Sequence, residues 1–303
     1  MSLLVVGSMA FDSIKSPFGE VERVVGGSAT YFSLAASYLA PVRLVSVVGK
    51  DFPREFIGML ASRSIDTRGL KIADGETFRW KGYYEYDLNT AHTVKTELNV
   101  FQDFAPVLPE EYRDSPYVFL GNIAPRLQMD ILNQVRKPRL VALDTMNYWI
   151  ENSPGPLREV IGRVDIVVFN ESEIREISGE YNLVKAARTV MGWGPGRVVI
   201  KRGEYGVLHL SDGTMFAAPA YPLETIFDPT GAGDSFAGGF MGYLASRDAA
   251  ELSEMDYRLA TMYGSAIASF TVEAFSTERL QNLSPGEIAE RVDSFRVLTE
   301  FQV

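Results

Sequence analysis

Short apolar runs alternate with stretches of helical spacing from one end of the chain to the other. No other feature constrains the fold as strongly. "LLVVGS" reads as a buried strand and "SATYFSLAASYL" as a helix rich in small residues; strand "VRLVSVVG" and helix "REFIGMLASR" come next. Further on, "YVFLGN", "RLVALDT", "VDIVVFN" and "RVVIKRG" are buried-strand patterns, with helical stretches near 127–136, 156–162 and 172–192 between them. Strands that are apolar throughout must be covered on both faces. The alternation therefore predicts an α/β fold: three layers, α/β/α, around a mostly parallel, doubly wound sheet. A length of 303 residues suits one large domain, and no linker, repeat or low-complexity tract divides it, so residues 1–303 are read as a single unit.

Two segments break the rhythm. In "TFRWKGYYEYDLNTAHTVKTELNV" (77–100), Phe78, Trp80, Tyr84 and Tyr86 fall on one side of an alternating strand, with Arg79, Lys81, Glu85 and Asp87 on the other. After a turn at "DLNT", Val94, Thr96, Leu98 and Val100 continue the pattern, which predicts a hairpin with one apolar face. Residues 12–27, "DSIKSPFGEVERVVGG", are rich in turn residues. Together, about 12–25 and 77–101 are expected to build a small β-flap, or lid, that keeps the aromatic face out of water. The free edge of such a flap offers a route to a homodimer. Near the C-terminus, "GVLHLSDGTMFAAP" predicts a hairpin around Asp212-Gly213, followed by helices over 234–246, 256–272 and 284–298.

Composition excludes several classes of function. A net charge of −10 without any run of Lys or Arg argues against a nucleic-acid partner. There is no cysteine, hence no disulfide, thiolate metal site or thiol nucleophile. Only His92 and His209 are present, both in strand patterns, which supplies a catalytic triad or a zinc site poorly. "MSLLVVGSMAF" is not a signal peptide, and no apolar run nears the ~20 residues that span a bilayer. A soluble, cytoplasmic protein with no membrane partner is expected.

The densest chemistry is in "DPTGAGDSFAGGF" (228–240). An extended run ends at "TIFD", "PTGAG" turns, and Phe236, Phe240 and Leu244 then fall at helical spacing. Glycines at the point where a strand hands over to a helix let free amides approach an anion, which the helix dipole also favours. Spacings for a Walker A loop and for a dinucleotide fingerprint are both absent. An acid beside an anion cradle suits phosphoryl transfer. It can take the proton of an attacking hydroxyl while the amides hold the transferred group. Beside a helix N-terminus, Asp234 is expected to be ionised and only weakly basic.

Here the sequence resembles the ribokinase-like carbohydrate kinase (PfkB) family. "DPTGAGDSFAGGF" looks like its C-terminal D-x-x-G-A-G-D signature, "GGSATYFSLAAS" (26–37) its Gly-Gly substrate motif, and "VVGKDFP" its V-G-x-D stretch. "NESE" (170–173) is similar to its N-x-x-E motif and "VVIKRGEYGV" to its nucleotide-side strand and turn. The resemblance implies an ATP- and magnesium-dependent kinase acting on a small sugar or nucleoside. In that reading Asp234 is the base and Gly231, Ala232 and Gly233 form the anion hole. Asp12, Gly26, Gly27, Tyr31 and Asn147 face the acceptor. Asn170, Lys201, Gly203 and Thr230 serve ATP, and Glu173 acts on magnesium through water. Asp228 marks the place where many relatives hold a monovalent cation such as potassium.

Departures narrow what is carried over. Tyr31 stands where the family usually has an asparagine, so an aromatic wall is expected in place of a polar contact. Met262 takes the place of an asparagine on the adenine side, and no residue is assigned there. "DTMNYW" (144–149) resembles the family's D-x-N stretch only loosely. Asp12 needs hydroxyl groups to accept from, and residues 8–31 offer few side chains able to read a base edge. A free sugar is therefore preferred over a nucleoside as acceptor. A binder without catalysis would have no use for Asp234.

Overall fold

The computed structural model describes residues 1–247 and 249–300. Among them a nine-stranded sheet runs in the order Thr214–Ala218, Val207–Ser211, Arg197–Lys201, Ile166–Asn170, Leu140–Leu143, Tyr117–Leu120, Leu3–Val6, Val42–Gly49, Ile65–Ala73. Neighbours are parallel except for the two hairpin strands at the Thr214–Ala218 edge. The doubly wound sheet expected from the alternation is present.

Burial on both faces explains the apolar strands. Leu3 and Val5 enter one core with Phe32, Phe240 and Ile267, under helices Ser28–Ser37, Ala232–Ser246 and Glu254–Thr271. Leu4 and Val6 enter the other with Ile131, Leu157 and Ile174, under Pro125–Leu132, Pro154–Ile161 and Glu171–Ser178. The chain winds outward in opposite directions on the two sides of Leu3–Val6, and at such a reversal ligands bind beyond the carboxyl ends of the strands.

A second sheet of four strands forms the flap, ordered Gly19–Gly26, Ala10–Ser16, Phe78–Tyr84, Ala91–Glu97. Its central pair is parallel and its outer pairs are antiparallel. The residues read as turns over 12–27 are mostly two strands, joined at Pro17-Phe18. The hairpin's second strand stops at Glu97, and a 3-10 turn, Asn99–Phe101, sends Phe101 into the core. Tyr86 lies beyond the first strand and is 85% exposed, while Val94 falls at a bulge and is also exposed. The apolar face is thus shorter than the alternation suggests and consists chiefly of Phe78, Trp80 and Tyr84.

Two further corrections concern the main layers. The helical stretch 172–192 is two helices. Glu171–Ser178 ends at Gly179 in the left-handed region (φ 70), and Leu183–Met191 starts from an Asn182 cap. Strand Ile65–Ala73 escapes the apolar-run criterion, because an edge strand keeps Arg68 and Lys71 in water. No helix among the described residues is long and apolar enough to cross a membrane.

Candidate active site

The glycine-rich turn is built by its own side chains. Asp228 is buried, and its Oδ1 accepts from the Thr230 amide at 2.8 Å while Oδ2 accepts from the Ser276 amide at 3.1 Å. Both oxygens of the residue expected beside a monovalent cation therefore clamp the turn to the segment after helix Glu254–Thr271. Gly231 takes φ 76 and caps helix Ala232–Ser246. A side chain there would be strained by the backbone and would strike the Tyr31 ring. Tyr31, expected as a wall against the acceptor, is the floor beneath the cradle.

Sequence reasoning assigned the Ala232 amide to the anion hole. It instead donates to the Pro229 carbonyl at 3.1 Å and closes the turn. The Gly233 and Asp234 amides have no carbonyl partner among the described residues and remain available to a ligand. Asp234 is in the first turn of this helix.

Three adjacent parallel strands deliver the remaining charges from their carboxyl ends. Lys201 ends Arg197–Lys201, and its Nζ donates to Asp144 Oδ2 at 2.9 Å. A Cβ placed on Gly233 would lie 3.0 Å from that Nζ, so the ammonium sits at the cradle. Asp144 follows Leu140–Leu143 and is buried. Asn170 ends Ile166–Asn170 and forms a capping box with Glu173: Asn170 Oδ1 accepts from the Glu173 amide at 2.8 Å, and Glu173 Oε2 accepts from the Asn170 amide at 2.7 Å. The Asn170 side-chain oxygen is thereby used as a helix cap, although the residue was expected to face ATP. Glu173 is also a cap, yet it is buried within the field of Asp144 and Lys201.

The flap supplies the opposite wall. Asp12 is 4% exposed, and a side chain at Gly26 would fall on its carboxylate, which explains the glycine. The Tyr84 hydroxyl is 3.2 Å from Thr230 Oγ1, so the flap touches the cradle. Asn89, at the flap tip, packs against Gly203 (φ 55) of the turn after Lys201. Asn147 donates to Glu176 at 2.6 Å and is drawn away from this group of residues. His92 stacks on Tyr83, and His209 is buried beside Thr261, so neither joins the site.

Electrostatics sets the chemistry. Asp144, Glu173 and Asp234 surround the Lys201 ammonium, and Asp12 lies in the field of Asp228 and Asp234. Burial pushes Asp234 up to about 7; the Asp144 charge adds to this and Lys201 opposes it. The weakly basic Asp234 expected from the helix dipole is therefore corrected, because desolvation outweighs the dipole. Burial, Asp228 and Asp234 raise Asp12 to about 8 against the Gly27 amide. Burial and Asp144 likewise raise Glu173. Burial disfavours the Lys201 charge, but Asp144 and Glu173 outweigh it and hold the amine above its ordinary value. Buried hydroxyls of Tyr31, Thr145 and Ser235 adjoin these groups without partners among the described residues. A site with surplus carboxylates, free helix amides and unpaired hydroxyls fits a polyanion accompanied by a cation.

Asp144 is the site residue that sequence reasoning missed. Its signal was the acid immediately after a buried strand, in line with Asn170 and Lys201 on the neighbouring strands.

Comparison with known proteins bears on the family and the fold. The family pattern described as "pfkB family carbohydrate kinase" matches residues 2–282. A cytidine kinase of Thermococcus kodakarensis is 37% identical over 254 residues, 82% of this chain and 90% of that one. A nucleoside kinase of Methanothermobacter thermautotrophicus is 28% identical over 292 residues, 91% of each chain. Among solved structures, a putative ribokinase II from E. coli in complex with ATP and Mg2+ has a TM-score of 0.80 at 19% identity, covering 97% of this chain and 99% of that one.

Proposed function

From the premise that this chain belongs to the pfkB family of carbohydrate kinases, and is thus an ATP-dependent kinase of a sugar or nucleoside, we propose that it phosphorylates the hydroxymethyl group of a nucleoside. The observation that carries the chemistry is the buried Asp234 in the first turn of a helix whose Gly233 and Asp234 amides have no carbonyl partner among the described residues. Asp234 accepts the proton of the acceptor hydroxyl as the new O–P bond forms and the bond from the γ-phosphorus to the β–γ bridging oxygen breaks, leaving ADP. The Gly233 and Asp234 amides and the Lys201 ammonium receive the charge on the transferred group. Asp12 holds acceptor hydroxyls, and the flap excludes water that would compete for the phosphoryl group.

The residues suit magnesium held mainly by phosphate and water. Among the described residues no group of three His, Cys, Asp or Glu side chains converges to hold a metal on its own. Glu173, with Asp144 beside it, would hold the ion through water, and the bound ion supplies positive charge to the phosphates.

Few side chains near Asp12 can read a base edge, which favours a free sugar from sequence alone. Likeness to two kinases of nucleosides outweighs that argument. ADP release measured over a panel of cytidine, adenosine, inosine, ribose and fructose decides between the two. Turnover of at least one nucleoside above both sugars is expected. Activity confined to the sugars would overturn the reading.

A further inference from the structure

One side of lid strand Phe78–Tyr84 carries Trp80, Gly82 and Tyr84 at the strand period of two. Two contacts fix that side as the inner one. Tyr84 reaches Thr230 of the cradle, and Asp12 is the register partner of Trp80 across the parallel pair. The indole lies over Gly82, where any Cβ would strike it, and its Nε1 donates to Thr93 Oγ1 at 3.1 Å across the hairpin. The ring is therefore held flat by a missing side chain below and a tether at its edge. Thr93 and Thr96, the inner-side residues of the neighbouring strand, are exposed, so the space beside the ring is open.

These positions lie in sequence along the lid. Tyr84 is at the phosphate end, and Trp80 is four residues away, roughly 13 Å along a strand. A pentose held by Asp12 offers the neighbouring indole no flat face, whereas a planar base attached to that sugar can lie on it. We propose that Trp80 is the stacking platform for the base of the acceptor and so the residue that favours nucleosides over free sugars. This rests on the nucleoside reading above. A π-face stacks on every base, so the platform favours nucleosides as a class and distinguishes little among bases.

The test compares wild type with Trp80→Leu and Trp80→Phe, using cytidine, adenosine and ribose at saturating ATP. Trp80→Leu should raise KM for both nucleosides about tenfold or more with kcat little changed. The slow turnover of ribose should be unaffected, and Trp80→Phe should restore most of the loss. In a Trp149→Phe, Trp193→Phe background, cytidine should quench the fluorescence of the remaining indole. If wild type accepts nucleosides but Trp80→Leu keeps KM within twofold and cytidine leaves the fluorescence unchanged, the platform is refuted while the nucleoside reading stands. If wild type turns over only free sugars, both fall together.

Discussion

At the scale of single residues, Asp234 is where position and environment pull apart. A helix N-terminus favours its charge, but burial beside Asp144 raises its pKa to about 7, close to the optimum for a base working near neutrality. Asp234→Asn should lower kcat by roughly 10²–10⁴-fold with ATP binding retained, measured by steady-state kinetics and nucleotide titration. In wild type the base must be unprotonated to accept. kcat/KM should therefore fall about tenfold or more per pH unit below 7 and level off only above about 8, where Asp12 is ionised as well. A flat profile between pH 5.5 and 8 would remove Asp234 from that role. The acid itself was legible in the sequence, since Gly231 and Gly233 directly before it mark free amides at the start of a helix. Its basicity was not legible, because that depends on Asp144, which lies 90 positions earlier (234 − 144) and meets it only in three dimensions. Ala232 escaped for a similar reason: which amides of a turn are spent on its own closure depends on backbone angles.

At the scale of elements, strands read well where burial is two-sided and poorly where it is not. Leu3–Val6 and Ile166–Asn170 show as apolar runs, while Ile65–Ala73 hides its alternation among charges at the sheet edge. The strands of the first lid segment were read as turns, since Asp12, Ser13, Lys15 and Ser16 are polar, Pro17-Phe18-Gly19 interrupts the pattern, and the second partner strand, Phe78–Tyr84, lies far away in sequence. The turn 228–231 makes the strongest prediction at this scale. Gly231 combines φ 76 with the Tyr31 ring directly beneath it, so Gly231→Ala must bear both backbone strain and a clash. It should destabilise the fold by about 1–3 kcal/mol in urea unfolding and lower kcat at least tenfold, because the amides it orients would be displaced. An alanine variant with wild-type kcat would show that the cradle does not depend on this turn.

For the whole molecule, the acid cluster means that stability is given up for function. Asp12 is raised to about 8, against an ordinary value of 3.8. Below pH 4 it is protonated in both folded and unfolded chains and costs nothing by linkage. As pH rises from 4 to 8 the unfolded chain releases this proton while the folded chain keeps it, and stability falls. Asp12→Asn should therefore stabilise the protein in the absence of ligand by on the order of 2 kcal/mol or more at pH 8, with the gain shrinking towards pH 4. Thermal unfolding of both proteins across that range measures it, and a gain that does not change with pH would sink the argument. The lid has a different consequence, one for the order of folding. Asp12 pairs with Trp80, 68 positions later (80 − 12), and the clamp on the glycine turn runs from Asp228 to Ser276, 48 positions later. Contacts that close such long loops come late. A chain emerging from the ribosome N-terminus first can pair strand Ala10–Ser16 with Gly19–Gly26 but must leave its other edge open until the second lid segment appears. It completes its phosphate cradle only when residue 276 has followed, so acceptor and nucleotide find a formed site only on a nearly finished chain.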